Sequence, residues 1–312
     1  MPLVSVIIPM KNAARFVRAA VESVLAQADV ELEIIVIDDG SSDRSAEIVR
    51  GIDDPRVRII PGPRKGISAA FNAGLADAKG EFLARCDADD LYPSDRLPWQ
   101  VQFLQSHPDF GAVSGSFTTM TQRGNVVVEH KTEAAGAEVT DELRRGHGRS
   151  HVCAYLFRTE LLRQIGGCRE FFVTAEDVDL QFRLAEITRI WHEPRPAYLY
   201  RLHGTSITHR QRSGERAFFE RCARQFQQQR RTRGSDDVNL GWPPPMPRGD
   251  RSSALSTNQQ IQRILLGQAW AAHGAGARGQ AIRLGARAWM ANPLVPSVWK
   301  SVIALMLKPG KA

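Results

Sequence analysis

Cysteine is scarce in this sequence, and its spacing is uninformative. The four residues, Cys86, Cys153, Cys168 and Cys222, form no CxxC pair, which argues against a zinc ribbon or a disulfide-stapled scaffold and fits a reduced cytoplasm. No apolar run reaches the ~18 residues of a membrane-spanning helix; the nearest, Leu294 to Leu307, is interrupted by Lys300. The opening MPLVSVIIPM has no basic flank before its apolar run, so it reads as a strand and not as a secretory leader. No arginine-aromatic recognition module is visible, so nucleic acid is not an expected partner. Glycine is absent from IIPMKNAARF after the first strand, where a nucleotidyltransferase of related sheet architecture carries a glycine-rich loop. Acidic residues are outnumbered, leaving a net charge of +7 over 312 residues. That excess suits nucleotide phosphates or an anionic membrane surface.

What is present is ordered. LVSVIIP (3–9) is a continuous apolar run of the kind buried in a parallel sheet. Between residues 14 and 28, Phe16, Val17, Ala20, Val21, Val24 and Leu25 fall on one helical face. Strand and helix then alternate through ELEIIVID, Ser45–Arg50, RVRII, Ser68–Ala78 and Glu81–Cys86, which implies an α/β sheet, mostly parallel and flanked by helices. Residues 98–106 read as a helix, and 111–130 as strands turning at Gly124-Asn125. Residues 133–150 read as a loop, HVCAYLFR as a strand, TELLRQIGG and EDVDLQFRLAE as helices, and AYLYRLHGTSIT as a last strand. The expected division is a catalytic domain over 1–213 and a helical extension over 214–312, with a Pro/Gly/Ser linker near 234–256.

Ligands of such sheets bind beyond the carboxyl ends of the strands, and here two strand ends are acidic. In IDDGSSD (37–43) the acids can bind a base or ribose, or simply build a turn and a helix cap. In CDADDLYPSDRL (86–97) three carboxylates fall within four residues at the end of an apolar strand. A solvated turn is the plain reading, but hard oxygen donors placed this way suit Mg²⁺ or Mn²⁺ beside phosphates. In TAEDVDLQFRL (174–184) Glu176, Asp177 and Asp179 open a helix. They either complement its dipole or supply a general base. In YRLHGTSIT, His203 and Arg201 are candidate metal or phosphate partners.

Taken together and in this order, the segments resemble the family 2 glycosyltransferases, inverting enzymes of the GT-A fold. VSVIIPMKNAARFVRAAVESVLAQ, IDDGSSDRS, GISAAFNAGLADAKGEFLARCDADD and GGCREFFVTAEDVDLQFRLAE carry the likeness, over roughly residues 3 to 210. Lys11 stands where the family usually has a tyrosine. The resemblance implies transfer of one sugar from a nucleoside diphosphate sugar, UDP-linked by preference, in glycan or cell-surface polysaccharide synthesis. Asp177 would be the base and Glu176 its acceptor-side neighbour. Pro9, Asn12, Asp39, Arg64, Asn72, Asp87, Asp90 and Arg201 would serve the donor, and Asp89 and His203 a Mn²⁺ or Mg²⁺ ion. The processive members' QxxRW motif is missing from QFQQQRRTR, so polymerisation is not expected. The acceptor would be a glycan or a lipid-linked saccharide. Leu294, Val298, Val302 and Leu305 or Met306 fall at helical spacing, giving either a packing face or an interfacial helix on the inner membrane face, with RCARQFQQQRRTR drawing anionic lipids. The competing functions are a nucleotidyltransferase and a non-catalytic sugar- or nucleotide-binding protein.

Overall fold

The computed structural model describes residues 1–130, 135–204, 213–246 and 256–308. The chain opens with β1 (Leu3–Met10), α1 (Val17–Leu25), β2 (Glu31–Asp38), α2 (Ser45–Arg50), β3 (Val57–Pro61), α3 (Ile67–Asp77) and β4 (Phe82–Arg85). β1 pairs in parallel with β2 and β4, and β2 with β3. β1 and the centre of β2 (Ile34–Ile37) are largely apolar and buried because helices cover the sheet there. α3 lies so close to β1 that a Cβ on Gly74 would fall 2.6 Å from Ile7 Cγ2; glycine is what permits that approach.

There follow α4 (Arg96–Ser106), β5 (Phe110–Thr121), β6 (Val126–His130), β7 (Ala137–Glu138), α5 (Thr140–Arg144) and β8 (Tyr155–Arg158). Then come α6 (Thr159–Gln164), α7 (Glu176–Ile187) and β9 (Arg189–Leu202). The sheet order is β3-β2-β1-β4-β8-β5-β9-β7, with β6 on β5. β8 runs antiparallel to both β4 and β5, and β7 antiparallel to β9. The sheet is therefore mixed, its parallel half being β1 to β4. The crossover from β4 through α4 to β5 leaves a slot one strand wide, and β8 fills it in reverse. Residues 135–150, expected as loop, contain β7 and α5; the short apolar set Val139 and Leu143 is buried and was too brief to register as a period.

The last helices are α8 (Ser213–Arg233), α9 (Thr257–Gly274), α10 (Arg278–Ala291) and α11 (Pro296–Leu307). The chain forms two compact units, Met1–Thr118 with His130–Tyr200 and Ser213–Asp250, and Thr119–Glu129 with Arg201–Arg212 and Arg251–Ala312. This division departs from the boundary expected at 213. α8 belongs to the first unit, because Phe219 and Phe226 pack on Phe171 and Phe172. The first part of the expected linker is held there too: Asp236 is fully buried and pairs with Arg169 and Arg230. Residues 247–255 lie outside the described set.

In the second unit Val127 and Val128 pack with Leu265 and Ala288, and Leu305 with Ala269 and Ala281. Of the stripe expected on α11, Val298 and Leu305 are buried while Leu294 is 90% exposed. Among the described residues no helix is long and apolar enough to cross a membrane.

Candidate active site

The carboxyl ends of β1, β2 and β4 lie side by side, so register alone assembles several of the residues expected on the donor side. Asp39 follows β2, and its backbone N–H donates to the Met10 carbonyl at 2.8 Å. Its Oδ2 accepts from the Gly66 N–H at 2.9 Å. Its Oδ1 is buried with no hydrogen-bond partner among the described residues, a costly state for a carboxylate oxygen unless a ligand donates to it. Gly62 keeps the approach open, since a Cβ there would sit 3.1 Å from that same Oδ1. Pro9 is buried at the end of β1 beside Ile37. Asn12 and Arg64 both hold left-handed backbone conformations, with φ of 54° and 60°, and both side chains are exposed. Asn12 accepts from the Ser42 N–H at 2.7 Å, tying the first loop to the IDDGSSD turn. Asn72 spends its amide on the Cys168 backbone, with bonds of 2.7 and 2.8 Å. It therefore fastens α3 to the segment before α7.

The end of β4 is rigidly held. Tyr92 Oη donates to the Arg85 carbonyl at 2.8 Å, the Asp87 N–H donates to Tyr198 Oη at 3.1 Å, and Tyr198 Oη donates to Asp90 Oδ2 at 2.6 Å. Arg85 is a buried fork: Nε bonds Asp87 at 2.7 Å and Nη1 bonds Glu176 at 3.1 Å. Burial disfavours the Asp87 carboxylate, but the Arg85 charge, aided by His151, outweighs it and holds the carboxyl below its usual range. For Glu176 burial wins: reinforced by Asp177, it raises the pKa although Arg85 pulls the other way. Asp90 is thus a support for the turn, while Asp89 stands half-buried between them. Among the described residues no three of His, Cys, Asp and Glu converge to cage an ion. The donor set fits a cation shared between a carboxylate and substrate phosphates, as Mg²⁺ and Mn²⁺ sites often are.

Asp177 sits in the first turn of α7. The preceding Ala175 is buried in the left-handed region at φ 59°, a strained conformation for a residue with a Cβ that turns the chain abruptly into the helix. Asp177 Oδ1 is buried with no hydrogen-bond partner among the described residues. The residue lines a cleft of about 320 Å³ with Gln181, His151 and three arginines, Arg149, Arg216 and Arg224. Gln181 is fixed by Tyr155 Oη, which donates to it at 2.9 Å, and donates to the Asp177 carbonyl at 3.1 Å. Burial keeps His151 below the ordinary imidazole range despite Asp177 and Asp87, so the ring is neutral near pH 7. It stacks on Tyr198 with centroids 5.5 Å apart. Burial opposes the charge on Arg216, yet Asp177 and Glu220 raise its pKa further.

The structure therefore joins Asp87 and Glu176 through one fork, with Asp177 next to Glu176 on α7, Asp90 tied to the Asp87 turn through Tyr198, and Pro9 and Asp39 at the neighbouring strand ends. Arg201 and His203 belong to the second compact unit, where Arg201 donates to the Gln122 carbonyl at 2.9 Å. Sequence reasoning missed Arg85, His151, Tyr198 and Arg216. Arg85 had a readable signal, a cation inside the otherwise apolar EFLARC. His151 had none, since HVCAYLFR reads as one strand although Val152–Ala154 form a 3-10 turn.

A mixed sheet with acids at two strand ends and a carboxylate at the mouth of a following helix is the architecture of a nucleotide-sugar transferase of the GT-A type. Residues 5–166 match the model described as "Glycosyl transferase family 2", and the chain belongs to that family. Its relatives include the chondroitin synthase of Pasteurella multocida, 28% identical over 212 residues that make up 66% of this chain and 21% of that one. The uncharacterized glycosyltransferase EpsJ of Bacillus subtilis is 30% identical over 223 residues, 66% of this chain and 63% of that one. The chain thus spans about a fifth of the synthase's length and under two thirds of EpsJ's. Among solved structures, S. aureus TarS 1-349 in complex with UDP-GlcNAc gives a TM-score of 0.62 at 17% identity, covering 97% of this chain and 84% of that one. The mannosyltransferase PcManGT from Pyrobaculum calidifontis, in complex with GDP-Man and Mn²⁺, gives 0.54 at 21% identity, covering 98% and 81%. These two likenesses show the fold.

Proposed function

We propose that the protein transfers a single sugar from a nucleoside diphosphate sugar to an acceptor hydroxyl with inversion, in glycan or polysaccharide synthesis. The observation that carries this is the unsatisfied, buried Asp177 Oδ1 in a cleft, joined through Glu176 and Arg85 to the Asp87 turn. Asp177 takes the proton of the acceptor hydroxyl as that oxygen attacks the anomeric carbon, and the bond to the diphosphate breaks on the opposite side. Asp39 receives the donor's ribose or base, with Pro9 beside it and Arg64 near the mouth. Asp89 is the carboxylate for a divalent cation. Such a cation, when bound, neutralises charge on the leaving diphosphate. The complexes of TarS with UDP-GlcNAc and of PcManGT with GDP-Man and Mn²⁺ support this reading.

Calorimetric titration of UDP, GDP and TDP, with and without Mn²⁺, tests it. One nucleotide should bind, and Asp89→Ala should weaken it roughly tenfold or more, the scale of one lost charge-assisted contact. If none binds under any condition, the reading is abandoned.

The C-terminal helices support a membrane-surface site for this activity, on the inner face. Residues 251–312 contain eight basic residues and no acidic one. On α11, Trp299, Ile303 and Met306 recur at helical spacing and stay 47%, 50% and 44% exposed. An apolar stripe within an acid-free segment is complementary to anionic lipid, each basic side chain contributing about 1 kcal/mol near such a surface. The basic stretch on α8 contributes less than its sequence suggests, because Arg230 and Arg233 are held in ion pairs. The protein should co-sediment with phosphatidylglycerol vesicles at low salt, release at high salt, and lose binding on Ile303→Asp. Equal binding to phosphatidylcholine vesicles, or none to either, counts against the idea.

A further inference from the structure

The cleft over Asp177 is built largely from arginine. Arg149, Arg216 and Arg224 line it together with only two carboxylates, Asp177 and Glu220. Arg216 is paired with Glu220 at 2.9 Å, and Arg149 forks onto Glu142, which lies outside the lining. Arg224 is different. It is exposed, and its one hydrogen bond is a long one of 3.4 Å to the Glu220 carbonyl. No carboxylate among the described residues pairs with it. Its stem runs past Gly146, whose φ of +81° keeps the loop wall free of a side chain; a Cβ there would lie 3.5 Å from Arg224 Cγ. The guanidinium thus stands at the rim of the cleft whose wall includes the base.

We propose that this cleft receives an acceptor bearing a negative charge near its reacting hydroxyl, a carboxylate or a phosphate, and that Arg224 binds that charge with Arg149 and Arg216 behind it. The inference rests on the glycosyl-transfer reading for what the cleft does, but not for what it binds. A neutral saccharide gives a guanidinium only weak carbonyl or hydroxyl acceptors. A carboxylate or phosphate matches the planar fork with two charge-assisted bonds. An anion here also completes the charge balance: with Glu220 committed to Arg216 and Asp177 directed at the acceptor hydroxyl, the uncommitted cation is Arg224. The hydroxyl and the charged group of one acceptor residue would then be read by Asp177 and Arg224 respectively.

The test separates binding from turnover. Three oligosaccharides of equal length are titrated calorimetrically into the full-length protein without donor: one bearing hexuronate carboxylates, one bearing phosphate esters and one neutral. One acidic oligosaccharide should bind at least about tenfold tighter than the neutral one, the scale of one charge-assisted contact, and the better of the two identifies the anion. Its affinity should fall with added salt. Arg224→Ala should erase the preference, Arg224→Lys should restore part of it, and Arg221→Ala, on the same helix but outside the lining, should leave it unchanged. Equal binding of acidic and neutral oligosaccharides overturns the proposal. So does an Arg224→Ala variant that instead weakens nucleoside diphosphate, which would assign the arginine to the donor. Because binding is read without donor, failure of glycosyl transfer itself would appear separately, as absence of nucleoside diphosphate release from any sugar nucleotide.

Discussion

Asp177→Asn should lower turnover by about 10²- to 10⁴-fold, the usual contribution of proton transfer by a positioned base, and do so with the fold intact. The carboxylate Oδ1 makes no hydrogen bond among the described residues, and the bond from Gln181 goes to the Asp177 backbone carbonyl. An amide of the same shape therefore removes proton-accepting capacity without removing a structural partner. Nucleoside diphosphate affinity and melting temperature should stay close to those of the parent, while kcat collapses. Steady-state kinetics with a saturating acceptor, alongside a thermal melt, reads both. A variant with parental kcat would remove Asp177 from the base role, and one that no longer folds would show that its charge holds the helix start. Glu176→Gln makes the useful contrast: its carboxylate bonds Arg85, so its loss should alter both donor binding and stability.

The second large effect is on stability. Asp179 is fully buried between Arg169 and Arg183, and Arg169 continues to Asp236, which Arg230 also binds. Burial disfavours each of these carboxylates, yet the arginines beside Asp179 and the N–H and arginine donors around Asp236 hold both below the usual range. Asp179→Ala leaves buried Arg183 without its carboxylate and Arg169 with Asp236 alone, and should cost about 3–5 kcal/mol, a fall in melting temperature of roughly 10 °C for a unit of this size. The carboxylates titrate lower when folded than when unfolded. The stability they contribute is therefore complete above the unfolded carboxylate range near pH ~4 and disappears as pH falls through their folded values. A melt series from pH 7 downward should show the parent losing stability in acid and Asp179→Ala losing less. An unchanged melting temperature at pH 7 would mean that the network is electrostatically neutral in its effect.

The β1–α1–β2 to β4 half was legible because its strands and helices alternate and the apolar centres of β1, β2 and β4 are buried, so composition and position agree. The acidic strand ends were legible for a related reason: the acids of Asp38-Asp39 follow the apolar run Ile34–Ile37, and those of Asp87–Asp90 follow a short, mostly apolar strand, so each set falls where a strand ends. Reversal of β8 was not, since nothing in YLFR states its direction; that is decided by the slot between β4 and β5. The membership of α8 in the catalytic unit was written in Phe219, Cys222, Ala223 and Phe226, an i, i+3, i+4, i+7 stripe, but the surrounding arginines and glutamines masked it. The left-handed Ala175 had no signal at all, because alanine does not ask for that conformation; the packing on either side imposes it.

Arg85 joins, through one guanidinium, the turn after β4 and the first residue of α7. In recombination among relatives, a chimera that takes its first hundred residues from one parent and the remainder from another divides this fork between two histories. Arginine and aspartate would come from the first and glutamate from the second. Only parents that agree on all three would give offspring in which the two halves of the site remain in register, so exchange of acceptor preference should succeed along lineages that preserve the fork and fail elsewhere.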